Sequence, residues 1–347
     1  MDTTVECKLV DIDQHWDKLI QQSEFDIYHM AGWIQSSTFI DHGEAKALII
    51  TMNNKQLLFP LIIRKIDEVF WDMTSTYGYS GLLSVGEISR LEQDYMLEQA
   101  IQYLKEKNCV SWFIRLHPIL NNHWVSEIGC LVEHGPTLSS DLTKTEEEHW
   151  AETQTRHRRG IKKALNEGCT TKIERLNDEN IKVFTEIYEE TMRTLGASAF
   201  YFFTPEYYHS LSRLLNDNII LITAFDCNQI PMAASIYTHC EKSGIMQYHL
   251  GGTKDSYRGL QPAKLITHEA RRWGREHHYK VLHLGGGVGA QRDSLYEYKQ
   301  GFSSNEHLFK THRIVINQAV YDQLCNEKGF NQQEIQNLTE YFPLYRK

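Results

Sequence analysis

Several of the usual markers of function are missing from this 347-residue chain. Its seven cysteines (Cys7, Cys109, Cys130, Cys169, Cys227, Cys240 and Cys325) are scattered, odd in number and never spaced C-x-x-C. That pattern excludes a complete disulfide framework and a cysteine zinc site, and it points to reduced thiols. The nearest approach to H-E-x-x-H is "HEARR" at 268–272, and the histidines show no ligand spacing, so no metal is expected. No apolar run reaches the roughly 20 residues that span a bilayer. The N-terminal "MDTTVECKLVDIDQ" has neither a basic nor an apolar targeting region. A cytoplasmic protein without a membrane span is expected. Positive charge is in deficit, 36 Lys and Arg against 45 Asp and Glu. A net charge of −9 excludes whole-surface attraction to nucleic acid or anionic membranes and leaves room for a local basic patch.

What is present is a folded core, with 41% apolar residues, 18 Tyr, 14 Phe and 7 Trp. The chain also repeats itself. "ALIITMNNKQLLFPLIIRK" (47–65) and "IILITAFDCNQIPMAASIYTH" (219–239) both read as β-hairpins around a polar turn. An aromatic strand follows each, "VFWDMTSTYGYSG" and "GIMQYHLGGT". Then comes an amphipathic helix, "ISRLEQDYMLEQAIQYLKEKN" and "PAKLITHEARRWGREHH". A strand closes each unit, "CVSWFIRLHP" and "KVLHLGGG". The fold class is α/β with mixed sheets, in two units. The expected domains are 1–145, with the tail 320–347 able to join it, and 146–319. The join lies near the polar run 138–154.

The glycine run "HLGGGVG" (283–289) fits G-x-G-x-x-A from Gly285 through Gly287 to Ala290. A nicotinamide-binding turn needs a helix and then a parallel strand that ends in an acid. Only about 60 residues follow, with a short polar segment and no acid at the end of the next β-rich run. The sequence disfavours an NAD(P) oxidoreductase.

The order of elements resembles the GNAT acyltransferase fold. "YHLGGTKDSYRGLQPAKLITHEARRWGREHHYKVLHLGGG" followed by "DSLYEYKQGFS" is similar to the second unit of FemX-like proteins. "IYHMAGW" (27–33) and "STYGYSG" (75–81) resemble elements of the first unit, and "TRHRRGIKKALNEG" (155–168) resembles the Arg-rich helix that opens the second. The resemblance implies two tandem GNAT-like domains facing a shared cleft, with the tail packing back on the first. It implies transfer of an acyl or aminoacyl group to an amine. The co-substrate is aminoacyl-tRNA or acyl-CoA, with no tightly bound cofactor. The acceptor is a small molecule or a cell-wall or capsule precursor. Oligomeric state is left open.

Candidate residues follow from what acyl transfer needs: an amine, a polarised carbonyl and a cradle for the donor's anionic carrier. In "YRGLQPAKL", Tyr257, Arg258 and Gly259 precede a helix that opens on Pro262, where free N–H groups and an Arg bind phosphate. Gly259 is expected to loosen that turn. The plainer reading is an ordinary helix start with a surface Arg. Lys299, by the resemblance, stands near the reacting carbonyl, and Tyr296 lies beside it; the plain alternative is a solvated helix lysine. His249 is a candidate base and Tyr248 its neighbour on the same strand, although a strand histidine is more often simply hydrogen-bonded. Tyr77, Tyr79 and Ser80 are candidate acceptor contacts or core residues. Arg159 belongs to the densest basic run, with Arg156, Arg158, Lys162 and Lys163. Gly285, Gly286 and Gly287 are expected to clear space where donor or acceptor meets the backbone. One departure stands out: FemX-like enzymes acting on a UDP-linked precursor carry a Lys shortly after the first-domain Trp, where this chain has Ser36, Ser37 and Thr38. A GNAT-like module that binds tRNA or a nucleotide without chemistry is the alternative.

Overall fold

A computed structural model describes residues 4–347; residues 1–3, where the N-terminal stretch read for a targeting signal begins, lie outside it. The chain divides into two compact units, residues 1–134 with 308–347, and residues 135–307.

In the first unit, β1 (Val5–Asp11) leads through α1 (Gln14–Leu19) and α2 (Ala31–Asp41) to the hairpin β2 (Glu44–Met52) and β3 (Lys55–Lys65). Then come β4 (Trp71–Thr74), β5 (Leu83–Val85), α3 (Arg90–Glu106) and β6 (Cys109–Arg115). The predicted aromatic strand is cut short at Thr74, because Gly78 adopts φ +99° and turns the chain beneath the Tyr28 ring. Strands β1 to β4 pair antiparallel in order, β5 pairs with β3, and β4 pairs parallel with β6. Helix α3 opens on a capping box between Ser89 and Glu92, which satisfies two orphan donors. It buries Met96, Leu97, Ala100 and Leu104 on one stripe, in a core with Phe59 and Trp112.

The second unit takes in the end of β7 (Cys130–Asp141), then α4 (Glu146–Glu152), α5 (Thr155–Asn166), β8 (Thr170–Arg175), α6 (Asp178–Thr194), α7 (Pro205–Leu215), β9 (Ile219–Phe225), β10 (Pro231–Cys240) and β11 (Ile245–Thr253). It continues with α8 (Pro262–Glu276), β12 (Val281–Gly285), α9 (Ser294–Gln300) and the start of β13 (Asn305–Val315). The sheet order is β7-β12-β11-β10-β9-β8, with only β11 and β12 parallel. Helix α8 packs Leu265, Ile266 and Ala270 into the core formed with Tyr237, Met246 and Phe302. Gly252 lets α6 approach β11, since a Cβ there would lie 2.9 Å from Ile187 O, Thr191 Oγ1 and Tyr188 Cα.

The remainder of β13, α10 (Gln318–Glu327) and α11 (Gln332–Gln336) complete the first unit. Buried Asp72 anchors the tail. It accepts from Arg64 Nε at 2.8 Å, Tyr345 Oη at 2.8 Å and Arg346 Nε at 2.5 Å. No helix among the described residues is long and apolar enough to cross a membrane, and no group of three His, Cys, Asp or Glu among them could hold a metal.

Because backbone atoms block a side chain at position 252, Gly252→Ala is expected to lower unfolding stability by about 1–3 kcal/mol, measured by urea denaturation.

Candidate active site

The parallel ladder of β11 and β12 is short. It runs from Ile245 opposite Val281 to Gln247 opposite His283, and then stops. On β11 the next residues carry a bulge: Tyr237 faces Tyr248 and Ile236 faces Leu250, which leaves His249 as the extra residue. On β12 the chain turns away at Gly285, whose φ is +73°. Past the last rung, the two facing edges lose their ladder partners and a gap opens between them.

Lys299 bridges this gap. It lies on α9 and is only 6% exposed. Its Nζ donates to Gly286 O at 2.6 Å and sits 5.4 Å from the centroid of the Tyr248 ring. Burial pulls its pKa down from 10.5 to about 7, with Asp293 acting weakly in the opposite direction. The fold therefore holds Lys299 with a pKa near neutrality. The glycine run makes this possible by folding on itself. A Cβ at Gly287 would lie 2.1 Å from Gln291 O and 2.2 Å from Asp293 Oδ1, and one at Gly286 would lie 2.9 Å from Pro136 O. The space these two glycines clear is filled by the protein's own backbone and the Asp293 cap, which corrects the expectation that they clear it for a ligand. Asp293 accepts from Val288 N–H and Tyr296 N–H, both at 2.9 Å, and so ties the loop to the start of α9. Among the described residues, β12 pairs only with the earlier strands β11 and β7, so the run does not open the β-α-β unit of a dinucleotide turn.

A depression of about 420 Å³ lies at the start of α8, lined by Thr191, Leu195, Thr253, Arg258, Gln261, Pro262, Ala263, Lys264 and Tyr298. Gln261 caps the helix in a left-handed conformation, φ +56°, and no side chain caps the first turn. The turn's strained residue is thus Gln261 and not Gly259, which meets nothing within 4 Å. Helix α5 runs close by because Gly160 has no side chain; a Cβ there would lie 2.4 Å from Gln261 Oε1. Lys163 Nζ donates to Gly259 O at 2.9 Å, and Lys264 Nζ to Arg156 O at 3.4 Å. The helix start, Arg258 and Lys264 thus line one depression, and free helix N–H groups with cations beside them suit a phosphate. Arg156, Arg159, Lys162 and Lys163 are exposed along α5.

With this geometry in place, residues 151–300 match the acetyltransferase (GNAT) domain family. That stretch carries a GNAT-type domain. The chain has the fold of FemX, with a TM-score of 0.66, 13% identity, and 92% of this chain and 99% of FemX covered. It shares that fold with the C-terminal domain of a candidate lysylphosphatidylglycerol synthetase from Agrobacterium fabrum (TM-score 0.54, 10% identity, 92% and 95% covered). L-PGS from Bacillus licheniformis is similar to it as well (TM-score 0.54, 11% identity, 87% and 92% covered). None of the curated proteins matches the chain by sequence.

Within the GNAT domain the other predicted residues are dispersed. His249 Nε2 lies 2.9 Å from the Tyr207 hydroxyl, and burial lowers its pKa to about 3, so its imidazole is neutral across the physiological range. The Tyr296 hydroxyl is bound up with Arg292 and Glu306. Tyr257 donates to Asp226 Oδ2 at 3.2 Å, and exposed Arg258 pairs with Asp255 at 3.1 Å. Sequence reasoning missed Tyr298, which lines the depression and whose hydroxyl donates to Ala263 O at 2.8 Å. Its position next to Lys299 was the available signal. Arg271 is buried and donates to His149 O, Phe302 O and Thr153 Oγ1. In the first unit, Ser80 Oγ accepts from Thr76 N–H at 3.2 Å, Tyr77 O accepts from Trp33 Nε1 at 3.0 Å, and the Tyr79 ring packs edge-on to Phe309. Ser36 and Ser37 donate back into α2, to Gly32 O and Trp33 O.

Lys299 generates a stability prediction. In the unfolded chain it holds its proton up to pH 10.5, but in the fold only to about 7. Below pH 7 the fold carries the full penalty of a buried charge, and that penalty fades as pH rises toward 10.5. The stability gained by Lys299→Met should therefore be larger at pH 6 than at pH 10, by on the order of a few kcal/mol, in paired denaturant titrations.

Proposed function

We propose that the protein moves an acyl or aminoacyl group from a phosphate-bearing carrier onto an amine, by direct attack at the gap between β11 and β12. The observation that carries this reading is Lys299, buried at that gap with a lowered pKa and aimed at its backbone rim. The carrier's phosphates lie at the start of α8 with Arg258, Lys264 and Lys163, and the acyl chain enters between the strands. The carbonyl oxygen receives Lys299 Nζ as negative charge develops on it. The C–N bond forms, the bond from the carbonyl carbon to the carrier's sulfur or oxygen breaks, and the amine's proton ends on that leaving atom. His249, with its pKa near 3, is too weak a base to draw a proton from an ammonium at neutral pH, so it serves to shape the bulge.

The carrier favoured is aminoacyl-tRNA. The exposed cations from Arg156 to Lys163 extend about 10 Å along α5, more than one pyrophosphate needs. The acetyltransferase family match supports acyl-CoA as the other donor. The acceptor is an amine of a small metabolite or of a cell-wall or capsule precursor. A GNAT-like binding module would bind the carrier and turn nothing over.

Lys299→Ala is expected to lower kcat by about 10²–10³-fold. If Lys299 works as a cation, kcat falls as pH rises through about 7; a rising limb there, lost in the variant, would make it the base instead. Replacing Arg156, Arg159 and Lys162 together by Ala should weaken an aminoacyl-tRNA donor and flatten the log–log salt dependence by about 2. The same change should leave KM for acyl-CoA unaltered. An effect on acyl-CoA alone would reverse the donor assignment.

A further inference from the structure

The first unit holds two incompletely satisfied charged groups of its own. Its parallel pair, β4 and β6, ends at Thr74 opposite Phe113, and the turn Tyr77–Gly78–Tyr79 follows. Arg115, the last residue of β6, is half-buried beneath this turn. Its Nε donates to Gly78 O at 3.0 Å and its guanidinium lies 5.7 Å from the Phe309 ring centroid. Among the described residues, its two Nη groups make no hydrogen bond or ion pair.

Asp41, the last residue of α2, lies against the same turn. The Tyr77 N–H points at its carboxyl group. Asp41 Oδ2 is buried and has no hydrogen-bond partner. It feels the fields of Arg64 and Arg115 but pairs with neither, and Arg64 is already bonded to Asp72. A half-buried guanidinium without a counter-ion, beside a buried carboxylate oxygen without a donor, is costly unless something bridges them. The turn between them is stiff, since Gly78 is held at φ +99° on the Tyr28 ring.

We infer that Arg115 and Asp41, with the Tyr77–Gly78–Tyr79 turn, form a subsite for a zwitterionic head that carries both an ammonium and a carboxylate or phosphate. The anion takes the open Nη fork of Arg115, which suits a planar carboxylate or a phosphate. The ammonium takes Asp41 Oδ2, and Tyr79 and Phe309 supply an aromatic wall. Assigning this ligand as the acceptor of acyl transfer rests on the proposed function; its binding does not.

The test is calorimetric titration of the full chain without any donor. L-alanine and O-phosphoethanolamine are the two zwitterions, and propionate, ethyl phosphate and ethylamine are the single-charge controls. At least one zwitterion should bind tenfold or more tightly than each of its controls. The stronger zwitterion tells carboxylate from phosphate recognition. Arg115→Gln and Asp41→Asn should each erase that advantage, and Arg115→Lys should retain part of it. Zwitterions no tighter than the controls, or unchanged binding in Arg115→Gln and Asp41→Asn, would overturn the inference. If either neutral variant fails to fold by circular dichroism, the wild-type probe series and Arg115→Lys decide. Failure of acyl transfer in the Lys299 experiments leaves this titration unaffected, so the two readings fall separately.

Discussion

A single lysine spans a place where a sheet comes apart, and the second unit is arranged around that contact. Beyond Gln247 and His283 the parallel ladder ends and polar backbone edges face a gap. An ammonium buried there is expensive, and it is tolerated because Gly286 O accepts from it and the Tyr248 ring faces it. Each supporting part fixes one end of this contact. The glycine run bends tightly enough to present Gly286 O, Asp293 locks the loop to α9, and α9 holds Lys299 in register. The depression at the start of α8 is part of the same arrangement, because Tyr298, next to Lys299, lines it.

The two units share a plan and use it differently. Each has a short parallel pair that stops abruptly, Thr74 with Phe113 and Gln247 with His283. In the second unit the strand leaves through glycines and is met by a lysine. In the first it ends on Arg115 beneath a tyrosine-rich turn. Elsewhere, buried charges act as braces. Asp72 gathers Arg64, Tyr345 and Arg346 to fasten the tail, and Arg271 ties carbonyls of separate segments together. A brace of this kind stabilises only while all its partners are present, because removing one leaves a buried charge uncompensated.

Much of the fold was legible locally. Hairpins at 47–65 and 219–239, the helix α3 with its Ser89 cap, and the Pro262 helix start are all set by alternation, periodicity and cap chemistry, which act over a few residues. The aromatic strand after the first hairpin is shorter than its sequence pattern suggests. Tyr77 and Tyr79 have strand propensity, but the left-handed Gly78 between them breaks the strand. The candidate site was partly legible, through Lys299 and the residues before α8. Tyr298 was missed because a tyrosine on a short helix looks the same whether it packs in a core or lines a depression.

The sequence alone determined the duplicated α/β plan, the placement of most elements, and the deficit of positive charge that confines any anion binding to a local patch. Only the tertiary structure decided what the glycines and charges do. Gly287 is required by Asp293, six residues on, and Gly160 by Gln261, about a hundred residues away. Lys299 becomes a near-neutral amine only because other segments exclude water from it. Local patterns follow from backbone preferences within a turn or two. Close approach and desolvation are properties of atoms brought together from distant parts of the chain, and no short stretch of sequence contains them.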